Sequence, residues 1–221
     1  MDNLQTQNMN VGRSRTFSLI FILLSLSPFS AFGEFDGELI VSLWNNEFES
    51  DVLNEDVDVG SLTISGEIWL GENWGLRAAW YESDLEDTAL QNQSRTQLVL
   101  RRRFLSLSDN NFFALGVGAE DIELLNGESS TGLRLSAEAR LAVTPITYLY
   151  GRGAYLPYMD DTEQFVDLTG SEVELGVSFT PLPFLSVKLG YLTLDLDYED
   201  INGGGGSTKS DGFLLGAGIH W

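Results

Sequence analysis

Cysteine is absent from the 221-residue sequence, and histidine occurs once, as His220. Without cysteine the chain has no disulfides, no thiol nucleophile and no zinc or iron–sulfur site with cysteine ligands. A single imidazole also removes most histidine-dependent metal sites and catalytic triads. These absences predict a protein without catalytic residues, without a metal site and without a cofactor.

Basic residues are scarce as well. The 12 lysines and arginines are outnumbered by 33 aspartates and glutamates, which gives a formal net charge of −21. Such a chain repels a phosphate backbone, so nucleic acid is excluded as a partner. The mean hydropathy is nevertheless close to zero, at −0.02, which requires apolar and charged residues to be segregated along the chain.

The N-terminal segment has the layout of a secretory signal peptide. Two arginines precede an apolar run at 17–26, and small residues follow it up to Gly33. An apolar run of about ten residues is too short to span a bilayer as a helix, which takes roughly 20. We therefore predict a signal peptide at 1–33 that is cleaved after Gly33, and a β-barrel domain at 34–221. An uncleaved anchor and translation from Met9 are the alternatives.

Long apolar runs are also missing beyond the signal peptide, so the sequence predicts no transmembrane helix. Instead, apolar residues alternate with small or charged ones, a pattern of period two that predicts β-strands. In SEVELGVSFT at 171–180, for example, nearly every second residue is apolar. The predicted segments lie at 35–45, 62–70, 74–82, 95–107, 112–121, 132–143, 146–158, 171–180, 184–198 and 212–221.

The connections between these segments alternate in length. The tight turns lie at 71–73, 108–111, 144–145 and 181–183. The long, polar and acidic connections lie at 46–61, 83–94, 122–131, 159–170 and 199–211. This strict alternation puts all long connections on one side of the sheet and both chain ends on the side of the short turns.

A secreted β-sandwich would also show alternating strands. The composition of the non-apolar face of each strand distinguishes a sandwich from a membrane barrel. That face is rich in glycine and alanine, which suit the crowded interior of a narrow barrel. Aromatic residues near the segment ends indicate the interfacial girdles of a membrane barrel: Trp44, Trp74, Trp80, Tyr155, Tyr158, Phe184, Tyr198 and Trp221.

The predicted fold is therefore all-β, a single antiparallel up-and-down transmembrane β-barrel of about ten strands, with about eight as the alternative. Both termini would be periplasmic, because an even strand number returns the chain to the side from which it started. The predicted location is the outer membrane of a Gram-negative bacterium.

Most basic residues fall on the strand face that points into the predicted barrel. The predicted lumen-lining charged residues are Arg77, Arg101, Arg103, Arg134, Arg140, Arg152, Lys188, Glu67, Glu120, Glu138, Glu172 and Glu174, together with Glu38. Charges of both signs in a narrow lumen should form ion pairs, because isolated charges there would be poorly hydrated. Two interpretations follow, a salt-bridged interior that fills the barrel and a constriction that selects solutes by charge. A lumen little wider than that of an eight-stranded barrel favours the filled interior.

Two places depart from strict alternation. Arg102 falls on the lipid-facing side, where either a β-bulge re-aims it or its side chain snorkels to the lipid headgroups. Leu192, Leu194 and Leu196 fall out of phase with the preceding apolar residues of their segment. A bulge near 190–191 is the simplest explanation of that change of phase.

The long connections carry most of the acidic residues. Carboxylates at that surface could collect divalent cations, which also bridge lipopolysaccharide phosphates. Their spacing matches no calcium-binding loop, however. A solvated, self-repelling surface is therefore favoured over a cation site.

His220 is the candidate for histidine-dependent catalysis. Hydrolases of the outer membrane combine a histidine with a serine or with acidic residues. The residues adjacent to His220 in the sequence include neither. We therefore interpret His220 as a structural residue at the periplasmic end of the barrel.

The C-terminal third resembles a known family. PFLSVKLGY at 183–191 opens a strand before an acidic connection, and DGFLLGAG at 211–218 follows that connection. This hairpin resembles the last hairpin of the YfaZ-type family of small bacterial outer-membrane β-barrel proteins. The resemblance implies an outer-membrane location and no particular activity. The chain ends in Trp221 where many barrel families end in phenylalanine, and we expect the barrel assembly machinery to recognise this terminal strand.

The sequence thus predicts a non-enzymatic integral outer-membrane β-barrel, either structural or a narrow porin-like conduit with a charge-paired lumen. The alternative is a surface-interaction protein whose acidic extracellular loops bind cations, lipopolysaccharide or a partner. We expect a monomer in contact with outer-membrane lipid and lipopolysaccharide.

Overall fold

The computed structural model describes residues 35–51, 57–84, 93–108, 110–124, 127–201 and 203–221. The predicted signal peptide lies outside these described residues and stays a prediction. The described strands are β1 (Phe35–Ser50), β2 (Val57–Leu70), β3 (Trp74–Asp84), β4 (Ser94–Ser108), β5 (Asn111–Glu123), β6 (Ser129–Thr144), β7 (Thr147–Met159), β8 (Phe165–Leu182), β9 (Leu185–Asp200) and β10 (Gly205–His220).

The strands form one closed barrel in which each strand is antiparallel to the next and β1 pairs with β10. The predicted fold class and its ten strands are therefore confirmed, and the eight-stranded alternative is wrong. Closure leaves no strand edge unpaired, because the backbone of β1 is bonded to β2 on one side and to β10 on the other. Both ends of the described barrel lie on the side of the short turns, since Gly37 and Trp221 exchange backbone hydrogen bonds of 3.1 Å.

No helix of the described chain combines the length and the apolar character needed to cross a membrane.

The outer surface of the barrel carries an apolar belt. Leu43, Leu98, Leu175 and Phe213 each expose more than half of their side chains. Of the predicted girdle residues, Trp74, Tyr155, Tyr158, Phe184 and Trp221 are exposed and Trp80 is half-buried. The prediction was wrong for two others: Trp44 is buried inside the barrel, and Tyr198 packs on an apolar cluster of the interior.

The strands extend further towards the long connections than the sequence predicts. β1 continues to Ser50, and β10 begins at Gly205. In these extensions the acidic residues face outward and the apolar residues face inward, as at Glu47 and Phe48. In the apolar belt the faces have the opposite polarity, with apolar residues outward. A prediction that places every apolar residue on the lipid-facing side therefore ends the strand too early.

The same inversion explains the leucines of β9. Leu192, Leu194 and Leu196 are buried inside the barrel on the same strand face as Lys188. The pairing of β9 with both neighbours continues in register through 187–195. The bulge predicted near 190–191 is therefore wrong, because the strand keeps its phase and only the chemistry of its two faces changes.

Register shifts occur elsewhere, including one on β4 between Arg103 and Leu105. Arg102, just before this shift, points outward and is exposed. Its guanidinium carbon lies 5.5 Å from the ring centroids of Trp74 and of Phe104. Arg102 is therefore not re-aimed into the lumen, and its position between two aromatic rings at the short-turn end agrees with snorkelling.

Candidate functional site

All the charged side chains that the sequence assigns to the lumen lie inside the barrel. They are Arg77, Arg101, Arg103, Arg134, Arg140, Arg152, Lys188, Glu38, Glu67, Glu120, Glu138, Glu172 and Glu174. The sequence analysis missed Arg95, which is buried among them and is only 5% exposed. Arg95 shares its phase with Arg101 and Arg103 on β4, so the alternation alone could have identified it.

Four of these side chains form a closed ring towards the long connections, which we call the loop-side ring. Arg95 donates to Glu120 at 2.6 Å and to Glu172, and Arg134 donates to Glu172 at 2.6 Å and to Glu120. The amide of Gln97 donates to the same two carboxylates at 3.3 and 3.2 Å. Each carboxylate therefore contacts both guanidinium groups, and β4, β5, β6 and β8 are joined across the lumen.

A second ring lies nearer the short turns, which we call the turn-side ring. Arg101 donates to Glu67 at 3.0 Å and to Glu138, and Arg140 donates to Glu138 at 2.7 Å and to Glu67. The guanidinium of Arg101 also lies 4.6 Å from the ring centroid of Trp69. The turn-side ring joins β2, β4 and β6, so the two rings together connect five of the ten described strands across the lumen.

Further ion pairs extend the network to β1, β7 and β9. Arg152 bridges Glu138 at 3.1 Å and Glu174 at 3.0 Å. The ammonium of Lys188 donates to Glu38 at 2.6 Å. These partners lie on β1, β6, β7, β8 and β9, so the ion pairs in the described lumen involve all strands except β3 and β10. Buried charges that are mutually paired and hydrogen-bonded fit a low-dielectric interior.

Apolar side chains occupy the lumen at both ends of the charged network. At the loop end the cluster comprises Ile122, Leu124, Leu156, Met159, Leu168, Leu194 and Leu196. At the turn end, Trp69 packs edge-to-face on Phe112 with ring centroids 5.3 Å apart. Arg103 lies against both of these rings, 3.8 Å from the centroid of Trp69 and 4.4 Å from that of Phe112. The lumen is therefore packed along its length.

A small cavity of about 20 Å³ lies between the two rings. Arg101 and Glu138 of the turn-side ring line it, as do Arg134 and Glu172 of the loop-side ring. Arg77 and Arg152 complete the charged lining, and small side chains form the rest. On the usual scale of about 10–15 Å³ per water-sized probe, this volume holds one or two water molecules.

The structure brings His220 together with a residue that the sequence analysis did not pair with it. The Oγ of Ser186 lies 3.1 Å from Nδ1 of His220 across the β9–β10 ladder. Glu38 is the cross-strand neighbour of His220 on β1, but its carboxylate accepts from Lys188. Ser186 is fully buried. The contact therefore ties the short-turn ends of two strands together, and within the described residues no carboxylate orients the imidazole as in a catalytic triad.

The outward face beyond the apolar belt is acidic. Glu47 lies directly opposite Asp58 on β2 and opposite Asp211 on β10. Lys209 donates to Asp211 at 2.8 Å, and the Tyr191 hydroxyl also donates to Asp211. These two hydrogen bonds hold the pKa of Asp211 below its ordinary value. Among the described residues, no group of three or more histidines and carboxylates is arranged to hold a metal ion.

Solved structures of outer-membrane barrels resemble this fold at low sequence identity. The outer membrane protease OmpT from Escherichia coli aligns with a TM-score of 0.57 at 10% identity, over 85% of this chain and 96% of that one. Neisserial surface protein A aligns with a TM-score of 0.42 at 11% identity, over 84% and 96% of the two chains. The attachment invasion locus protein Ail of Yersinia pestis aligns with a TM-score of 0.37 at 12% identity, over 85% and 99%.

No protein-family model and no curated protein matches the chain. At these identities the likeness to solved structures concerns the fold alone. A closed barrel with an apolar outer belt is nevertheless the architecture that lets strands cross a lipid bilayer. The chain is accordingly an outer-membrane β-barrel, and the bacterial outer membrane is the location that its fold and its surface indicate.

Proposed function

We propose that this outer-membrane barrel is a closed, non-enzymatic structural element rather than an open conduit. The observation that carries the proposal is the packed lumen, in which two Arg–Glu rings lie in series beneath an apolar cluster. A solute would have to separate ion pairs of both rings and displace the buried side chains of that cluster. The more open alternative, a narrow porin-like conduit, would need both barriers to move.

The distribution of charge supports the same proposal. The chain as a whole carries a formal charge of −21, which repels anions from the mouth of the barrel. The lumen carries seven arginines with Lys188 against six glutamates, so cations meet a positive interior. Neither sign of ion has a favourable path from bulk solution to the centre of the barrel.

Planar-bilayer conductance of the refolded chain 34–221 tests this proposal. Refolding is first verified by the heat-dependent shift in gel mobility that a folded barrel shows. We expect insertion without unitary current steps. A matched control removes one pair of opposite charges from the loop-side ring, as in Glu120→Ala with Arg134→Ala. This variant leaves the net charge unchanged. A leak in it would show that the loop-side ring is the main barrier, and its absence would show that the turn-side ring and the apolar cluster also close the lumen.

Reproducible current steps in the unmodified chain would contradict the closed barrel. If the ion selectivity of those steps changed on reversal of Arg134 or Arg140 to glutamate, the porin-like conduit would replace the structural role. The non-enzymatic part of the proposal is supported by the way the lumen carboxylates are bound to arginine. Its most direct check is an assay of the purified barrel with lipid and ester substrates, in which we expect no activity. Activity that is lost in Ser186→Ala would contradict the proposal and assign catalysis to the contact of Ser186 with His220.

A role in surface interaction is the second candidate, and the acidic face around Glu47 supports it. Like charges directly opposite each other on neighbouring strands destabilise a sheet. Acidic residues that do not stabilise the barrel are better explained by binding of a cation or a basic partner. The double variant Glu47→Gln with Asp58→Asn tests this role. It should weaken binding of cations, lipopolysaccharide or a basic partner, while Arg102→Gln serves as a variant that leaves this face intact.

We propose in addition that the chain is related to the YfaZ-type family, which the resemblance of the last hairpin supports. We also propose that the barrel assembly machinery recognises the strand that ends at Trp221. Deleting Trp221 should lower the yield of folded barrel in cells more than it lowers the yield of refolding in detergent.

A further inference from the structure

One cation of the lumen differs from all the others in its surroundings. Among the residues that the structure describes, Arg95, Arg101, Arg103, Arg134, Arg140, Arg152 and Lys188 each have a carboxylate oxygen within 4.0 Å. Arg77 forms no such ion pair within that described part of the chain, although it is only 8% exposed. Asp36 pairs with Arg103 at 3.6 Å, so the described network holds eight cations against seven carboxylates, and Arg77 is the cation without an ion pair.

Arg77 lines the cavity between the two rings together with Arg101, Arg134 and Arg152. In the described part of the barrel, the buried Nε of Arg101 and Nη2 of Arg152 have no hydrogen-bond partner. The guanidinium groups around this cavity therefore retain both charge and hydrogen-bonding capacity.

The carboxylates that line the cavity are already engaged. Glu138 accepts from Arg140 through Oε1 and from Arg101 and Arg152 through Oε2. Glu172 accepts from Arg134 through Oε1 and from Arg95 through Oε2. All four carboxylate oxygens thus already accept from an arginine other than Arg77, and neither group lies within ion-pair distance of Arg77 in the described part of the chain.

We propose that this cavity is a binding site for one small monovalent anion of the size of a halide ion. A single negative charge there balances the charge of Arg77 and accepts hydrogen bonds from the N–H groups of the surrounding arginines. The volume of about 20 Å³ corresponds to one or two water-sized spheres, which suits a monatomic ion. The site is independent of whether the barrel conducts, so it goes beyond the proposed structural role.

The packed lumen determines how the anion reaches the site. The acidic surface repels anions, and the apolar cluster at the loop end blocks direct entry. The anion is therefore taken up while the barrel closes, and it exchanges slowly afterwards. Refolding has to take place in the salt under test for this reason.

The experiment compares refolding of chain 34–221 in sodium chloride with refolding in sodium gluconate at equal ionic strength, from chloride-free reagents. A ligand that binds only the folded state raises the unfolding temperature as its concentration increases. We expect chloride to raise the unfolding temperature of the unmodified chain and to have no such effect on Arg77→Met. Arg102→Gln is the matched control, because it also removes one arginine charge but from the outer surface, and it should keep the chloride effect.

Crystals of the unmodified chain refolded in sodium bromide give an independent measurement that does not depend on a variant. We expect anomalous density for one bromide ion between Arg77 and the two rings. The proposal is overturned if the cavity shows no anomalous density, or if Arg77→Met keeps the chloride effect. Bromide density without any effect of chloride on stability would show binding at crystal concentration only, and would also overturn it. If Arg77→Met does not fold, the bromide density and the chloride effect on the unmodified chain decide the question.

Discussion

Glu172 illustrates how a single residue of the lumen depends on several others. It accepts from Arg95, Gln97 and Arg134, which belong to two strands other than its own. Desolvation of such a group is offset only while all of its partners are in place. The contribution of each charged residue to stability therefore depends on the intact ring.

Replacing Glu172 by glutamine leaves Arg95 and Arg134 with one carboxylate instead of two. Removal of one partner from a buried ion pair costs about 3–5 kcal/mol. We expect the free energy of unfolding to fall by that order, measured by urea titration of the refolded barrel with tryptophan emission as the signal. The control is Asp211→Asn at the exposed rim, where loss of the pair with Lys209 should cost about 0–1 kcal/mol. Equal effects of the two substitutions would show that the loop-side ring is not a buried network.

The sequence predicts which charged residues face the lumen but not how they pair. Alternation of period two assigns Glu67, Glu138 and Arg140 to one face without any knowledge of the neighbouring strands. The pairing of Arg140 with Glu67 joins β6 to β2 across the lumen, and no local pattern contains that information. Arg77 could not be distinguished from the other arginines for the same reason, since the absence of a carboxylate partner among the described residues depends on how all the strands are arranged.

At the scale of the strand, the chemistry of the two faces exchanges along one continuous element. In the apolar belt the outward face is apolar, and beyond it the outward face is acidic while the lumen becomes apolar. The prediction located the centre of every strand, because the belt obeys the simple rule. It placed one end of β1 and of β10 wrongly and predicted a bulge on β9 that is not there. The reason is that apolar residues face outward within the lipid but face the lumen where the strand extends beyond it.

Close packing between neighbouring strands gives a testable consequence at Gly118 on β5. A Cβ atom at this position would lie 2.0 Å from the carbonyl oxygen of Leu98 on β4. The clash involves backbone, which cannot rotate away, so Gly118→Ala should destabilise the barrel by about 1–3 kcal/mol.

Gly60 on β2 is the matched control, because a Cβ atom there meets nothing within 4 Å. Gly60→Ala should leave the urea midpoint unchanged or raise it slightly, since alanine restricts the unfolded chain. A loss of stability in Gly60→Ala equal to that in Gly118→Ala would mean that glycine is needed for its flexibility rather than for close approach of the strands.

At the scale of the whole molecule, the two ends of the barrel differ in chemistry. The long connections and the acidic strand ends lie on one side, and the short turns with both ends of the described barrel lie on the other. This asymmetry predicts that the long connections face the exterior and that the short turns face the periplasm, in line with the usual order of outer-membrane barrels.

The lack of cysteine makes this orientation directly measurable, because a single introduced cysteine is the only thiol in the chain. Gly204→Cys lies in a long connection, where a side chain would meet nothing within 4 Å. Glu72→Cys lies in an exposed short turn. We expect a membrane-impermeant maleimide to label Gly204→Cys on intact cells and to label Glu72→Cys only after the outer membrane is permeabilised. The reverse pattern would refute the predicted orientation and the periplasmic location of the termini.

The ion pairs of the lumen also join residues that are distant along the chain. Arg95 and Glu172 are 77 residues apart, and Lys188 and Glu38 are 150 apart. Contacts of such long range form late and slow the folding of a chain, because a large loop must close before they contribute. The long-range pairs of the network therefore form only when the barrel closes, whereas Arg134 with Glu120 and Arg152 with Glu138 can already pair within one hairpin. A hairpin that inserted alone would carry residues such as Lys188 into lipid without their distant partners, so we expect membrane insertion and barrel closure to be concerted.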